Sequence, residues 1–590
     1  MTNFTEEQVA YIQSKINEHV YLEACPGSGK TEVVAAKIAK EISNWQKSPS
    51  GIALLSFSNS ATDELKERIG KFGTSNLKFY PHIISTFDSF VLKYIVSPFA
   101  HIITGYGGVN GDYSLRIVES TSSLFIQTEY QYVKRGNLKA NHYSHNSESN
   151  TFSFYTGERT YNKALEALTF KDWEVNDLTK AKDKFLKAGF CTYSDIELLA
   201  IRILNSPVLK EFTENLIRRF PIIIIDECQD LCEEQLIILS KLADYGVKLH
   251  FIGDLSQSIY EFRNAVPSKI LKFTQNLGFK LFTLTKNHRS VQPIVNLCTS
   301  LVDGNHVVGR VATKNNSCVI LEYSDCPTEV ISTFLRLSKP HVNTVIIARG
   351  HSTLNKFNTS STKLNEVQKL ALAITLFDEN KFDQLEKSII LFSEYLRTFI
   401  KESVKPQSFN CPDSIDSSLK WRNFLFKALT YLLEDNLNDL TLTWKYWCGK
   451  VKFKLRAVLN QPFVDDDIAT SLAPLQVVNI RSPNKLGDEP LSVSLKIVET
   501  SSFSLRKETI HKVKGETHDV SMFVSSAGKQ GGVGANWKEW LEDPNSEAAR
   551  LAYVASSRPR ELLIWAVKIL KPKEKIKLEN IGFVVIPLDK

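Results

Sequence analysis

The chain has no apolar run approaching the roughly 18 residues that cross a bilayer. Its longest candidates, such as Glu561–Leu570, are short and interrupted. The opening residues, MTNFTEEQ, are polar and acidic, unlike a secretory leader. A membrane-bound or secreted protein is therefore not expected. The nine cysteines are scattered and odd in number; the closest pair, Cys228 and Cys232, has no second pair or histidine cluster to complete a metal site. A disulfide framework is not expected, and a reducing, cytoplasmic location is. A strong charge of one sign is also lacking. The 72 basic and 65 acidic residues leave +7, a bias compatible with nucleic acid without requiring it. No internal repeat or long low-complexity tract is visible.

What is present is an ordinary globular composition, 43% hydrophobic and 23% charged, which excludes disorder throughout. At about 150 residues per domain, the length suggests about four domains. Apolar runs alternate with helical patterns over the first hundred residues. Strands are predicted at His19–Cys25, Gly51–Phe57 and Ile83–Thr86, and helices at Thr31–Ile42 and Ala61–Ile69. The rhythm resumes with strands at Ile222–Ile225, Lys248–Gly253 and Leu281–Leu284, then Cys318–Tyr323 and Thr344–Ala348, and strand-like patterns return from Leu475–Ile480. Such alternation predicts an α/β fold with doubly wound parallel sheets. Two polar stretches interrupt it. The expected division is a first lobe at 1–95 and 213–280, with an insertion at 96–212, and a second lobe at 281–355 and 471–590, with an insertion at 356–470.

Residues Ala24–Thr31 read ACPGSGKT, after a predicted strand and before a predicted helix. That context defines a phosphate-binding loop. Gly27 and Gly29 let the backbone approach phosphate. The N–H groups of Pro26–Thr31, Ser28 among them and Pro26 itself excepted, and the helix N-terminus attract anions. Lys30 would reach the β- and γ-phosphates and Thr31 would hold Mg²⁺. The first position is Ala24 rather than glycine. A second glycine-rich run, Gly528–Gly534, lacks this spacing and is expected to be a loop. Phe220–Asp230, FPIIIIDECQD, buries a strand on four isoleucines and presents two carboxylates at its C-terminal end, where open α/β sheets bind ligands. Asp226 is placed to hold Mg²⁺ and Glu227 to deprotonate the attacking water.

The loop and DECQD together resemble a superfamily 1 helicase of the UvrD/Rep/PcrA type. Other segments occur in that family's order: Phe4–Gln8, Ser56–Arg68, Ser85–Phe90, Gly253–Ala265, Leu284–Ser290, Thr509–Asp519 and Arg550–Arg560. The resemblance spans both lobes except the insertions. It implies two RecA-like lobes, each with an inserted, mainly helical subdomain. It also implies ATP and Mg²⁺ as cofactors, and single-stranded or tailed duplex DNA as partner. By the same resemblance Gln8 contacts the base, Gln257 senses the γ-phosphate, and Arg289 and Arg558 face the transferring phosphoryl group from the second lobe. Phe57, Tyr260 and Phe262 are implied as stacking platforms, with Asn59, Ser85, Arg263 and His511 as further DNA contacts. Their alternative is a place in the core, common for aromatics beside strands. Arg550 and Arg560 stand open between a functional role and a surface ion pair.

Three departures stand out. His288 occupies the position of the tyrosine that stacks on adenine. KGETHD replaces KGLEF, which displaces Glu516 by one position from the usual ribose contact. The second insertion is short for the family. A basic alternation, Lys450, Lys452, Lys454 and Arg456 with Val451, Phe453 and Leu455 between, reads as a half-buried strand with a solvated face, or a basic strand on DNA. The lysines from Lys568 to Lys577 read as a solvated basic tail. The resulting expectation is an ATP-dependent single-stranded DNA translocase with 3′–5′ helicase polarity. The alternative is a DNA-sensing ATPase subunit serving a partner nuclease, since helicases of this size resemble those paired with OLD-family nucleases in Gabija-type phage defence. The chain shows no nuclease carboxylate cluster of its own.

Overall fold

The computed structural model describes residues 4–73, 79–120, 126–132, 136–147, 149–259, 266–304, 306–312, 316–357, 365–379, 381–405, 408–483, 486–495, 505–528 and 532–589. Tyr260, Phe262 and Arg263, and the middle of the Gly528–Gly534 run, lie outside them.

Two six-stranded parallel sheets organise the chain outside its second compact unit. The first uses β1 (Val20–Ala24), β2 (Ile52–Ser56), β3 (Ile83–Thr86), β4 (Ile222–Asp226), β5 (Lys248–Gly253) and β6 (Lys280–Leu284), in the order β6-β1-β5-β4-β2-β3. The second uses β7 (Cys318–Tyr323), β8 (Thr344–Ala348), β9 (Lys507–Thr509), β10 (His518–Val524), β11 (Pro559–Lys568) and β12 (Val584–Ile586), in the order β9-β8-β10-β11-β7-β12. Parallel pairing needs crossovers, and it buries both faces of a central strand, so such strands read as continuous apolar runs. In β4 all five residues are buried. Ile222 and Ile224 pack with Val33, Val34 and Ile38 of the helix Lys30–Ser43. Ile223 and Ile225, pointing the other way, pack with Phe251, Leu199 and Ile203. The strand that ends at Asp226, with Glu227 next, is thus clamped from both sides. In the second sheet Phe523 stacks on Trp540 at 4.0 Å, and Trp540 meets Trp565 edge-on at 4.8 Å.

The two RecA-like lobes expected from the sequence are these sheets, but several boundaries move. Lys280–Leu284 pairs in parallel with Val20–Ala24, so the first lobe runs past 281. The insertion at 96–212 does not keep a core wholly its own: Ile196, Leu199, Ala200 and Ile203 share the core of β4. It also holds the hairpins Gln127–Gln131 with Asn137–Lys139 and Tyr143–Asn146 with Thr151–Phe154. The second compact unit is Asn358–Leu505, longer than 356–470, because Leu475, Val478, Ile480, Leu491 and Leu495 are buried in its core. Leu475–Ile480 forms no strand there; Ala473–Val477 is a short 3-10 helix. Lys450–Arg456 also differs, lying within the helix Trp444–Val458. Its Trp444, Trp447, Val451, Leu455 and Val458 recur at helical spacing and are buried. Alternation over seven residues was too short a window to separate the two periods.

Candidate nucleotide site

The phosphate loop leaves the C-terminal end of β1 and enters the helix Lys30–Ser43, with Gly29 as its N-cap. Gly27 and Gly29 have φ of 72° and 77°, the left-handed region that favours glycine. Gly27 has a second reason to be glycine: a Cβ there would lie 2.5 Å from the Arg289 Cβ. The His288 N–H donates to the Gly27 carbonyl at 2.9 Å, so the loop and the Lys286–Val291 strand touch through backbone. Ala24, Pro26 and Ser28 are buried, and Thr31 is half-buried. The Ser28 hydroxyl is buried without a hydrogen-bond partner.

Lys30 lies between the carboxylates at the end of β4. Its ammonium donates to Glu227 and sits 3.6 Å from Asp226. Burial alone would pull Lys30 down, but Glu227 and Asp226 outweigh it and hold it well above the usual lysine range. Burial pushes Asp226 up, while for Glu227 the opposing pull of Lys30 and Lys514 outweighs burial and keeps it ionised. Glu227 has φ of 60°, unusual for a residue with a side chain and a mark of a position fixed by its surroundings. Gln229 donates to the second oxygen of Glu227. The Gln229 side-chain oxygen Oε1 accepts from the Asp254 N–H at 3.2 Å. Asp254 accepts from Gln257 at 2.9 Å and from the Tyr553 hydroxyl at 3.1 Å. Arg558 Nη2 donates to Gln257 Oε1 at 3.1 Å. One hydrogen-bonded chain therefore runs from Glu227 in the first lobe to Arg558 in the second.

The second lobe delivers cations. Arg558 is 1% exposed and anchored on the Val554 carbonyl at 2.8 Å. Arg289 donates to the Ser557 carbonyl at 3.2 Å. Burial, then the neighbouring Arg558 and Arg560, pulls Arg289 down to about 9. Arg558 is pulled down by its burial, against the raising pull of Glu227 and Asp254 among its neighbours. Lys514 forms a bidentate pair with Asp230, 2.7 Å to each oxygen, both side chains nearly buried. Arg550 is buried and donates to the Ser258 carbonyl at 2.8 Å. Arg560 is exposed, 3.8 Å from Asp519.

Other expected residues are placed less directly. Gln8 caps its own helix through the Thr5 N–H and donates to the Ser28 carbonyl at 2.9 Å, so its amide braces the loop. His288 is exposed at the loop. The Glu516 carboxylate pairs with Arg506 at 2.7 Å and faces His518 at 3.1 Å, while its carbonyl accepts from Arg558 at 3.5 Å. Phe57 is half-buried and parallel to Phe87 at 6.4 Å. Asn59 is exposed at the start of its helix, and Ser85 is half-buried on β3. His511 bonds to the Ile259 carbonyl at 3.3 Å. The sequence reading assigned no role to Gln229, Asp230, Asp254, Lys514 or Tyr553. Asp254 was open to the reasoning that found Asp226, since it follows the adjacent strand β5.

A phosphate loop, a carboxylate pair at a strand end, a second parallel sheet and the arginines Arg289 and Arg558 beside it define a P-loop protein of two RecA-like lobes. More particularly, residues 4–278, just under half of the chain, match the UvrD/REP helicase N-terminal domain family. Among similar proteins is the ATP-dependent DNA helicase PcrA of Bacillus subtilis, 27% identical over 312 residues, covering 51% of this chain and 40% of that protein. DNA helicase II of Salmonella typhimurium is 27% identical over 294 residues, covering 49% and 38%. ATP-dependent DNA helicase UvrD1 of Mycobacterium leprae is 27% identical over 299 residues, covering 47% and 37%. The matched region spans about two fifths of the length of these relatives. The likeness is to UvrD-type superfamily 1 helicases. Among the described residues no helix is long and apolar enough to cross a membrane.

Proposed function

We propose that the chain hydrolyses ATP and uses the resulting lobe movement to translocate on single-stranded DNA, with 3′–5′ helicase polarity. The observation that carries this reading is the hydrogen-bonded chain Glu227–Gln229–Asp254–Gln257–Arg558, which joins the candidate base to a second-lobe arginine. The chemistry follows from the residues. Phosphate bound at Lys30 would exchange the lysine's contact with Glu227 for one with the γ-phosphoryl group, freeing the carboxylate to accept a proton from water. Gln257 would orient that water. Arg289 and Arg558 would stabilise charge developing on the transferred group, the largest electrostatic contribution in such sites. Thr31 and Asp226 supply the hydroxyl and carboxylate oxygens that would hold Mg²⁺, which would neutralise phosphate charge there. Gln8 and His288 are assigned to the base, and Glu516 to the ribose.

Because the arginines come from the other lobe, hydrolysis and lobe closure are coupled, and closure can advance a strand held at Phe57, Asn59, Ser85 and His511. The polarity is carried by the resemblance to the UvrD type alone. A cytoplasmic place of action follows from that DNA substrate. The rival reading, an ATPase signalling to a partner nuclease, has no observed surface or relative to favour it. ATPase assays with and without single-stranded DNA, followed by strand displacement on tailed duplexes, test the proposal. Hydrolysis indifferent to DNA would defeat it.

A further inference from the structure

The helix Trp444–Val458, WKYWCGKVKFKLRAV, carries five basic residues and no acidic one. Its buried face holds Trp444, Trp447, Cys448, Val451, Leu455 and Val458. That face accounts for its large apolar residues except two. Tyr446 is 53% exposed and Phe453 is 66% exposed. Tyr446, Gly449, Lys450 and Phe453 share one face at spacings of three and four residues, and Lys445 and Lys452 flank it. Lys454 is drawn to Glu434 and Asp435, and Arg456 to the Val478 carbonyl. Among the described residues, Lys445, Lys450 and Lys452 have no carboxylate within ion-pair distance. Lys450 instead lies over the Tyr446 ring at 5.1 Å, and Lys452 over the Phe453 ring at 5.4 Å.

Gly449 adds an independent observation. Its backbone is helical, so no positive φ requires glycine, and a Cβ there would meet nothing within 4 Å. Glycine inside a helix is unfavourable, and among the described residues no close approach requires it at this position. It does leave the face flat between the two rings. Seven residues of helix separate Tyr446 from Phe453, about 10 Å of axis. That is about three nucleotides at a strand spacing of about 3.4 Å.

We propose that this face of the helical unit is a binding surface for an unpaired nucleic-acid strand, with Tyr446 and Phe453 as stacking platforms and Lys445, Lys450 and Lys452 facing its phosphates. Charge complementarity selects a polyanion. The exposed rings select one whose bases are free to stack, as paired bases are not. Gly449 allows the strand to lie close to the helix. The surface lies outside the nucleotide site and uses none of its residues, so it does not depend on the motor reading.

The test uses the full chain and fluorescent oligodeoxythymidylate, with matched duplex as competitor. Ultraviolet cross-linking followed by peptide mass spectrometry should place adducts on Tyr446 or Phe453. Tyr446→Ala and Phe453→Ala should each weaken single-strand binding by roughly tenfold. Lys450→Gln and Lys452→Gln should each lower the slope of log affinity against log salt by about 0.7. Gly449→Gln should raise the thermal midpoint yet weaken binding, which a purely structural glycine would not do. Unchanged affinity and salt slope across these variants, or no adduct on this helix, overturns the proposal. Equal competition by duplex, with the aromatic variants indifferent, overturns it in favour of a surface that reads only backbone. The two readings fail separately. Loss of oligonucleotide binding in these variants without any DNA-stimulated hydrolysis refutes the motor and keeps this surface; intact stimulation with indifferent variants does the reverse.

Discussion

The two sheets contribute opposite kinds of group to one site. Strand ends of the first sheet bring Asp226, Glu227 and Asp254, the first two paired with Lys30. The second lobe brings Arg289, Arg550, Arg558 and Lys514, all basic, and each within hydrogen-bond reach of partners at the boundary. A carboxylate cluster this buried is unfavourable unless cations reach it. The first lobe supplies Lys30; the remainder arrives only when the second lobe is in place. The asymmetry makes the electrostatics of the site a function of lobe position, which a single sheet carrying both signs would not achieve.

The largest effect should come from cutting the second lobe's contribution. Arg558→Ala should lower the ATP turnover rate by about 10³–10⁵, with nucleotide affinity changed much less, because arginine fingers act on the transition state. A large loss of affinity at an unchanged rate would place Arg558 in the ground state and undo the asymmetry. Removing the first lobe's base should cost somewhat less. Glu227→Gln keeps shape and the Gln229 contact but loses the proton acceptor, and a general base contributes about 10²–10⁴ in rate. Single-turnover hydrolysis measures it, and normal turnover would reassign the base.

Next in size is the buried Asp230–Lys514 pair. Lys514→Met strands Asp230, which burial already pushes up to about 6 despite the opposing pull of Lys514. Breaking a buried pair from one side costs about 3–5 kcal/mol, so the thermal midpoint should fall measurably. Asp230→Asn combined with Lys514→Met should recover part of that loss, because no unpaired charge then remains. A double variant no better than the worse single one would show that the pair is not coupled.

How legible this was differs between the lobes for a physical reason. Ile222–Asp226 and Ala24–Thr31 are local: burial, turn and ligand group are adjacent in the chain, so strand, loop and carboxylates could be read together. The second lobe's residues are scattered from Arg289 to Arg558, and only a family pattern connects them before folding does. Tyr553 escaped because a single tyrosine carries no spacing, whereas Asp254 follows a buried strand as the DECQD carboxylates do and was readable by the same reasoning. Arg550 was open between two roles, and folding places it against the Ser258 carbonyl rather than a surface carboxylate. The helix at Lys450–Arg456 was misread because alternation and helical recurrence coincide over so short a window, and only the tryptophans upstream, Trp444 and Trp447, break the tie.

The smallest expected effect lies at the proposed DNA contact Phe57 in the first lobe, where the comparison is sharpest. Asp226, Gln229, Asp254 and Arg558 are buried and hydrogen-bonded, whereas Phe57 is half-buried and holds its ring parallel to Phe87 without any polar tie. Its packing partner could mean that it belongs to the core alone. The variant that separates the roles is Phe57→Leu, which keeps most of the apolar volume and removes the flat ring. A core role predicts a small drop in thermal midpoint and unchanged DNA-stimulated hydrolysis. A platform role predicts a near-wild-type midpoint with single-strand affinity reduced by about 1–3 kcal/mol. In that case basal hydrolysis should persist, since Lys30, Glu227 and the arginines are untouched, and the salt dependence of binding should persist too, since phosphate contacts remain. ATPase rate titrated against single-strand concentration distinguishes the outcomes. Stimulation unchanged in both half-saturation and maximum would remove Phe57 from the DNA path and leave strand-holding to the other residues of that edge.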